Sequence, residues 1–315
     1  MSRTAKIWLL CVLIGCILFG GAMSLLKWDF TKLSTVQLET NEYAIEETFS
    51  DITIYSDTAD ITFIPAGEAR IVCYEHPSVK HTVSVADGTL TIRAVDERKW
   101  YEHIGIFFDS PKITVYLPGG DYGNLHIKES TGEVEIRRDF AWESVDITAS
   151  TGDVACYASA SGSVSVRTST GAIRMEGLSA GALDLSVSTG RVSVSDVTCA
   201  GSIKIRVSTG RATLTDTTCR DLTSTGSTGD VHLRNVIAAG KISIERDTGD
   251  VTFDGCDGAE ISVKTDTGDI KGTLLSDKIF FAQSDTGRVH VPKTTEGGRC
   301  EISTDTGNVN IKIGK

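Results

Sequence analysis

The chain has 315 residues, a net charge of −11, and only 7% aromatic residues beside 31 glycines and 5 prolines. An acidic chain of this kind is a poor partner for nucleic acid. The glycine, serine and threonine content suits short strands and turns around a narrow β-branched core.

In chain order, Arg3 and Lys6 come first, followed by the uncharged run from Ile7 to Leu26. At ~1.5 Å per residue such a run spans a hydrocarbon core of about 30 Å. The basic residues ahead of it place residues 1–6 in the cytoplasm and the body outside. Trp8 and Trp28 stand near the two ends, where interfacial indoles are favoured. A cleavable signal would use Gly20-Gly21-Ala22, and Leu13-Ile14-Gly15-Cys16 has the look of a lipobox. Apolar residues continue well past Cys16, so an uncleaved single-pass anchor over 7–26 is the preferred expectation. A polar connector, 27–42, follows.

Residues 43–120 alternate strongly. The candidate strands are Ile52–Tyr55, Asp60–Ile64, Arg70–Tyr74, Thr82–Val85, Thr89–Ala94 and Lys112–Leu117, parted by turn residues. Within them Asp57-Thr58-Ala59-Asp60 resembles the later repeats with alanine in place of glycine. This region is expected to be an atypical N-terminal cap.

From 121 to 315 a Ser/Asp-Thr-Gly tripeptide recurs every 19 or 20 residues, from Ser130-Thr131-Gly132 to Asp305-Thr306-Gly307. So regular a period marks stacked repeats. Two and four residues after each glycine the chain is mostly apolar, as at Val192/Val194, and a second alternating pair such as Leu183/Leu185 recurs in most repeats. Period-two alternation marks strands with one buried face. The expectation is an all-β, right-handed parallel β-solenoid of ~19–20 residues per coil, each coil a strand, a corner, a strand and a corner. Glycine is expected to supply φ > 0 at the corner, with the Ser or Asp oxygen accepting its amide.

Four tripeptides read Asp-Thr-Gly, the aspartic-protease spelling. A protease needs two carboxylates sharing a proton between two lobes, whereas here Asp occupies a site that is Ser in six sister repeats, in one row of a stack. Asp247, Asp250, Asp266, Asp269 and Asp285 are expected to line one corner of successive coils; a solvated acidic edge is the plain reading and a Ca²⁺ site the alternative. The threonine row, one per coil, is read as a structural ladder, although such arrays can also bind ice or a regular polymer. Asp250, Asp269 and Glu245 are the nearest to a carboxylate set for a polysaccharide-active enzyme. The six histidines, His76, His81, His103, His126, His232 and His290, show no metal-ligand spacing, and the Lys99-Trp100-Tyr101-Glu102-His103 loop reads as cap packing. Cys156, Cys256 and Cys300 fall at inward positions, while Cys199 and Cys219 stack on adjacent coils at a separation that allows a disulfide. The last strand, Val309–Ile313, is expected to leave an open edge that invites end-to-end self-association.

Asp57-Thr58-Ala59-Asp60-Ile61, Asp87-Gly88-Thr89-Leu90-Thr91-Ile92 and Ile113-Thr114-Val115-Tyr116-Leu117-Pro118, followed by serial Ser-Thr-Gly units, resemble a bacterial family known as “putative adhesin” or β-strand-repeat domain of unknown function. It includes LiaG-like envelope-stress proteins. The resemblance covers residues 45–315. It implies a membrane-anchored extracytoplasmic β-solenoid, linked to envelope stress or signalling, with no catalytic residues. The expected function is therefore a non-catalytic, adhesin-like or envelope-scaffold module without a cofactor. Its partners would be the membrane and an envelope component or protein. The alternatives are a β-helix glycan enzyme and a self-assembling envelope polymer.

Overall fold

The structure is a computed structural model that describes residues 3–25, 27, 28, 37–98 and 110–314. Helix Arg3–Leu25 contains the stretch Ile7–Leu25, of mean hydropathy 2.3, long and apolar enough to cross a membrane. Among the described residues from 37 onward, the regular elements are all β-strands.

Each regular coil has three sides rather than the two expected. In the strand Ser179–Cys199 the inward residues are Leu183, Leu185 and Val187, then Val192 and Val194, then Val197 and Cys199, all buried. The glycine makes the first corner. The second corner, six residues later, is a left-handed residue: Gly177 (φ 65°), Asp196 (53°), Asp216 (48°), Asn235 (51°) and Gly255 (62°) in successive coils. Gly, Asp and Asn are the residues that tolerate this region. The third side carries Leu178/Ala180, Val197/Cys199, Thr217/Cys219 and Val236/Ala238 in one buried column. Neighbouring coils pair in parallel with equivalent positions opposite one another, as in Leu183↔Ile203, Gly190↔Gly210 and Val197↔Thr217. Stacking so joins the inward residues into one continuous core.

Through the middle of the molecule the stacking order follows the chain. At both ends it does not. Strand Val251–Thr267 pairs with the final segment, Gly298–Thr306, through Ile261↔Cys300 and Thr267↔Thr306. Lys278–Thr286 lies outside that segment, with Phe280↔Cys300 and Thr286↔Thr306. The chain skips a level, lays down the outermost coil, and returns to fill the gap. Val309–Ile313 is paired along its whole length with Ile270–Leu274, while on its other side Val309 and Asn310 alone are paired, with Val289–His290. Among the described residues the open edge runs along Lys278–His290 and continues on the outer side of residues 311–313. Pro292 follows Lys278–His290, and an edge is where a residue without an amide proton costs no ladder bond. Lys278, buried at the start of the outer coil, ties it inward through a 2.6 Å bond to Asp257.

The other end is rearranged in the same sense. Asp51–Thr58 stacks on Gly120–Thr131, with Ile54↔Ile127 and Thr58↔Thr131, so Ala59 does stand over a repeat glycine, Gly132. Thr89–Asp96 and Lys112–Leu117 form the next layer outward. Antiparallel strands then close the end: Val79–Ala86 on Thr89–Asp96, Arg70–Glu75 on Lys112–Leu117, and Glu39–Ala44 on Arg70–Glu75. Glu39–Ala44 begins inside the segment expected to be connector. Phe63, Tyr122, Phe140 and Trp142 pack together where the first coil meets the cap, with ring centroids 5.2–6.4 Å apart. The 99–103 loop lies outside the described residues.

Candidate functional site

The tripeptide glycines all have φ between 123° and 155°. Close stacking adds a second reason for glycine. A Cβ on Gly210 would fall on the carbonyl oxygen of Gly190, and one on Gly249 on that of Gly229. The glycine amide does not bond the Ser or Asp side chain as expected; it donates to the threonine carbonyl of the neighbouring coil. Examples are Gly249 N to Thr267 O at 2.8 Å and Gly268 N to Thr306 O at 2.9 Å. The main chain already satisfies itself across coils, so the Ser/Asp side chain is free to face water.

This puts two exposed columns on one edge. The threonines, Thr58 included, pair in unbroken register along eleven levels, through Thr170↔Thr189, Thr189↔Thr209 and Thr209↔Thr228 to Thr267↔Thr306 and Thr306↔Thr286. Every one of them is exposed, and so is the Ser or Asp just before it. Among the described residues these side chains form no hydrogen bond within the protein. The array repeats at about 4.8 Å, the spacing of paired strands. Its inner half is serine, and toward the open end it turns to aspartate at Asp247, Asp266, Asp305 and Asp285, in stacking order.

That order corrects the expected acidic row, because Asp305 stands between Asp266 and Asp285. Asp247, Asp266 and Asp285 are exposed, while Asp250 and Asp269 cap the stack instead. Asp250 Oδ1 accepts the Asp269 amide at 2.9 Å, and Asp269 Oδ1 accepts the Asn308 amide at 2.7 Å. Asp250 Oδ2 also pairs with Lys271 Nζ at 3.1 Å. The backbone bond and Lys271 hold the Asp250 carboxyl below its ordinary value despite burial. The five carboxylates are thus split between solvent and caps, and Glu245 is exposed on the strand leading to the corner. Cys199 and Cys219 do fall on the same side of adjacent coils, both buried and both free thiols. Cys156, Cys256 and Cys300 are buried as expected.

Three buried polar features were not read from the sequence. On the inward position before each tripeptide, Thr304 Oγ1 and Ser284 Oγ donate to the glycine carbonyls Gly268 O and Gly307 O at 3.0 and 2.8 Å. Glu129 holds this position at the first out-of-order joint. Its Oε1 accepts the Ala59 and Thr131 amides, and burial raises its carboxyl to about 7. Arg246 holds it in mid-stack and is 1% exposed; its guanidinium fills the space above Gly226 and bonds Ser224 Oγ at 2.9 Å. Burial without a carboxylate lowers it to about 10. Ser224 and Gly226 replacing apolar residues was the visible signal for this site.

The third feature lies in the cap. Cys73 and Glu75 face inward from Arg70–Glu75, and His81 faces them from Val79–Ala86. His81 also lines a cavity of about 340 Å³, together with Ser56, Val79, Ala94 and Pro111. Alternation of Cys73 and Glu75 on one strand was legible in the sequence, but nothing there joined them to His81 across the sandwich.

A crystal structure of a “putative adhesin” from Bacteroides fragilis is similar over 88% of this chain and 97% of its own, with 15% identity and a TM-score of 0.44. One from Parabacteroides distasonis covers 86% and 98%, with 11% identity and a TM-score of 0.40. A “putative lipid binding protein” from the same species covers 89% and 98%, at 14% identity and a TM-score of 0.24. Comparison with curated proteins gives no match. The family described as Toastrack DUF4097 matches residues 49–218 and 201–315. The chain belongs to this Toastrack family, a domain of unknown function.

Proposed function

We propose that the protein is a non-catalytic, adhesin-like module of the cell envelope, anchored by its N-terminal helix with the β-body outside the cytoplasm. The observation that carries this reading is the double column of exposed Ser/Asp and Thr side chains, in register over eleven levels. Each hydroxyl both donates and accepts hydrogen bonds. A row repeating at about 4.8 Å can meet an extended polymer rung by rung, each contact weak and the sum useful. A glycan strand of the envelope has the matching chemistry, since it too offers hydroxyls in a regular series. The apolar helix and the basic residues Arg3 and Lys6 before it support the orientation. The enzyme alternative loses support because Asp250 and Asp269 are occupied as caps.

Co-sedimentation with insoluble peptidoglycan sacculi tests the reading. The full chain in detergent should pellet with sacculi, and the triple variant Thr170→Glu, Thr189→Glu, Thr209→Glu should stay in solution at equal thermal stability. Equal pelleting of both would overturn the ladder as the binding face.

The relocated open edge supports a second, compatible property. Along Lys278–His290 the inward residues Phe280 and Ala282 are only half-buried, and Ile279, Phe281 and Val289 are exposed. Antiparallel strands close the opposite end. Two copies stacking through this same end give a two-fold pair rather than the expected polymer. Sedimentation velocity separates dimer from chain growth.

A further inference from the structure

Cys73, Glu75 and His81 are 0%, 1% and 4% exposed, and one donor atom from each lies within 4.8 Å of the other two. Two residues lock the arrangement. Asn41 Nδ2 donates to Glu75 Oε1 at 2.7 Å, and Tyr43 Oη donates to the His81 carbonyl at 2.9 Å. Glu75 Oε2 accepts both the His81 amide, at 2.7 Å, and ring Nδ1, at 2.6 Å. That leaves His81 Nε2 buried with no hydrogen-bond partner. A histidine placed only to neutralise Glu75 has no use for the thiol beside it, nor for a second ring nitrogen left unsatisfied in the core.

We propose that Cys73, Glu75 and His81 form a three-ligand site for a divalent transition-metal ion, with zinc the best chemical match. A thiolate, an imidazole and a carboxylate are the zinc donor set, while Ca²⁺ and Mg²⁺ select oxygen alone. Zinc bonds of about 2.0–2.3 Å place tetrahedral donors roughly 3.3–3.8 Å apart. The Nδ1–Oε2 pair opens by under about 1 Å to reach this, and the thiol closes by a similar amount. The ion takes the place of the proton between Nδ1 and Oε2. That proton moves to Nε2, which then has a donor to offer to water in the cavity that His81 lines. The Cys73 proton leaves to solvent, so one proton is released per ion bound. Asn41 fixes the carboxylate from behind, as outer partners of metal ligands do.

The test uses the full chain in detergent micelles and cobalt(II) as a spectroscopic stand-in for zinc. One cobalt per chain is expected, with a thiolate-to-cobalt charge-transfer band that zinc abolishes. Cys73→Ala should remove the band and weaken binding at least tenfold; His81→Gln should weaken binding at least tenfold and keep the band. X-ray absorption on the wild-type zinc form gives a check independent of variant folding, with one sulfur neighbour expected. A sulfur-free shell, a band that survives Cys73→Ala, or no stoichiometric binding by the wild type would overturn the site.

Discussion

The middle of the stack and its two ends obey different rules. From Phe140 to Thr267 each coil rests on the one before it in sequence, and the inward columns are fully buried. At the ends the chain steps over a level and comes back: Asp51–Thr58 onto Gly120–Thr131, and Gly298–Thr306 between Val251–Thr267 and Lys278–Thr286. Coils built on one repeat present the same glycine, threonine and apolar positions to either neighbour. The repeat positions alone therefore do not fix which coil stacks on which. The N-terminal end is closed with antiparallel strands and aromatic side chains; the C-terminal end stops at a half-covered coil.

The largest expected difference between the regions is steric. Gly210→Ala, in the middle, combines a φ of 135° with a Cβ against the Gly190 carbonyl, and should cost at least about 3 kcal/mol. Gly67→Ala, in a cap turn with nothing within 4 Å, should change stability by no more than about 0.5 kcal/mol. Urea unfolding of both variants makes the comparison; equal losses would break it.

Glu129 probes the N-terminal joint. Burial raises its carboxyl to about 7 from an ordinary 4.5, so the folded chain keeps a proton that the unfolded chain has lost. Its contribution is fully present below about pH 4.5 and falls as pH rises through 7, by roughly 2–3 kcal/mol. Glu129→Gln should remove this fall, seen as a wild-type minus variant difference that widens between pH 4.5 and 8. Arg246 is the irregular joint within the middle. Replacing a buried cation that has no carboxylate partner with an apolar side chain of similar reach, Arg246→Met, should leave the melting temperature unchanged or raise it, by up to about 3 kcal/mol in stability. The smallest effect belongs to the open end: Phe281→Lys should alter stability by less than about 0.5 kcal/mol while abolishing any dimer in sedimentation velocity.

How much of this could be read from residues follows from what a repeat encodes. Glycine spacing and alternation at Val192/Val194 and Leu183/Leu185 specify the coil and its inward faces, because those depend on local backbone and burial. The third side was missed because its corner is spelled Gly, Asp or Asn in different coils, although all share φ near 50–65°. The Ser/Asp role was misassigned because the glycine amide finds a carbonyl one coil away, a partner that local sequence does not show. Cys73, Glu75 and His81 meet across a sandwich whose pairing depends on the out-of-order layer beneath it. Contacts between coils lie behind the last two of these misses.

Stacking order is therefore the claim to test first. Exposed threonines opposite one another on adjacent coils stand within disulfide range, and those two levels apart stand near 10 Å, beyond it. The measurement is oxidative cross-linking of two double variants, Thr267→Cys with Thr306→Cys and Thr267→Cys with Thr286→Cys, read by peptide mass. The first pair should close and the second should stay open. A bond in the 267/286 variant, with the 267/306 variant left unbridged, would show coils stacked in chain order and contradict it.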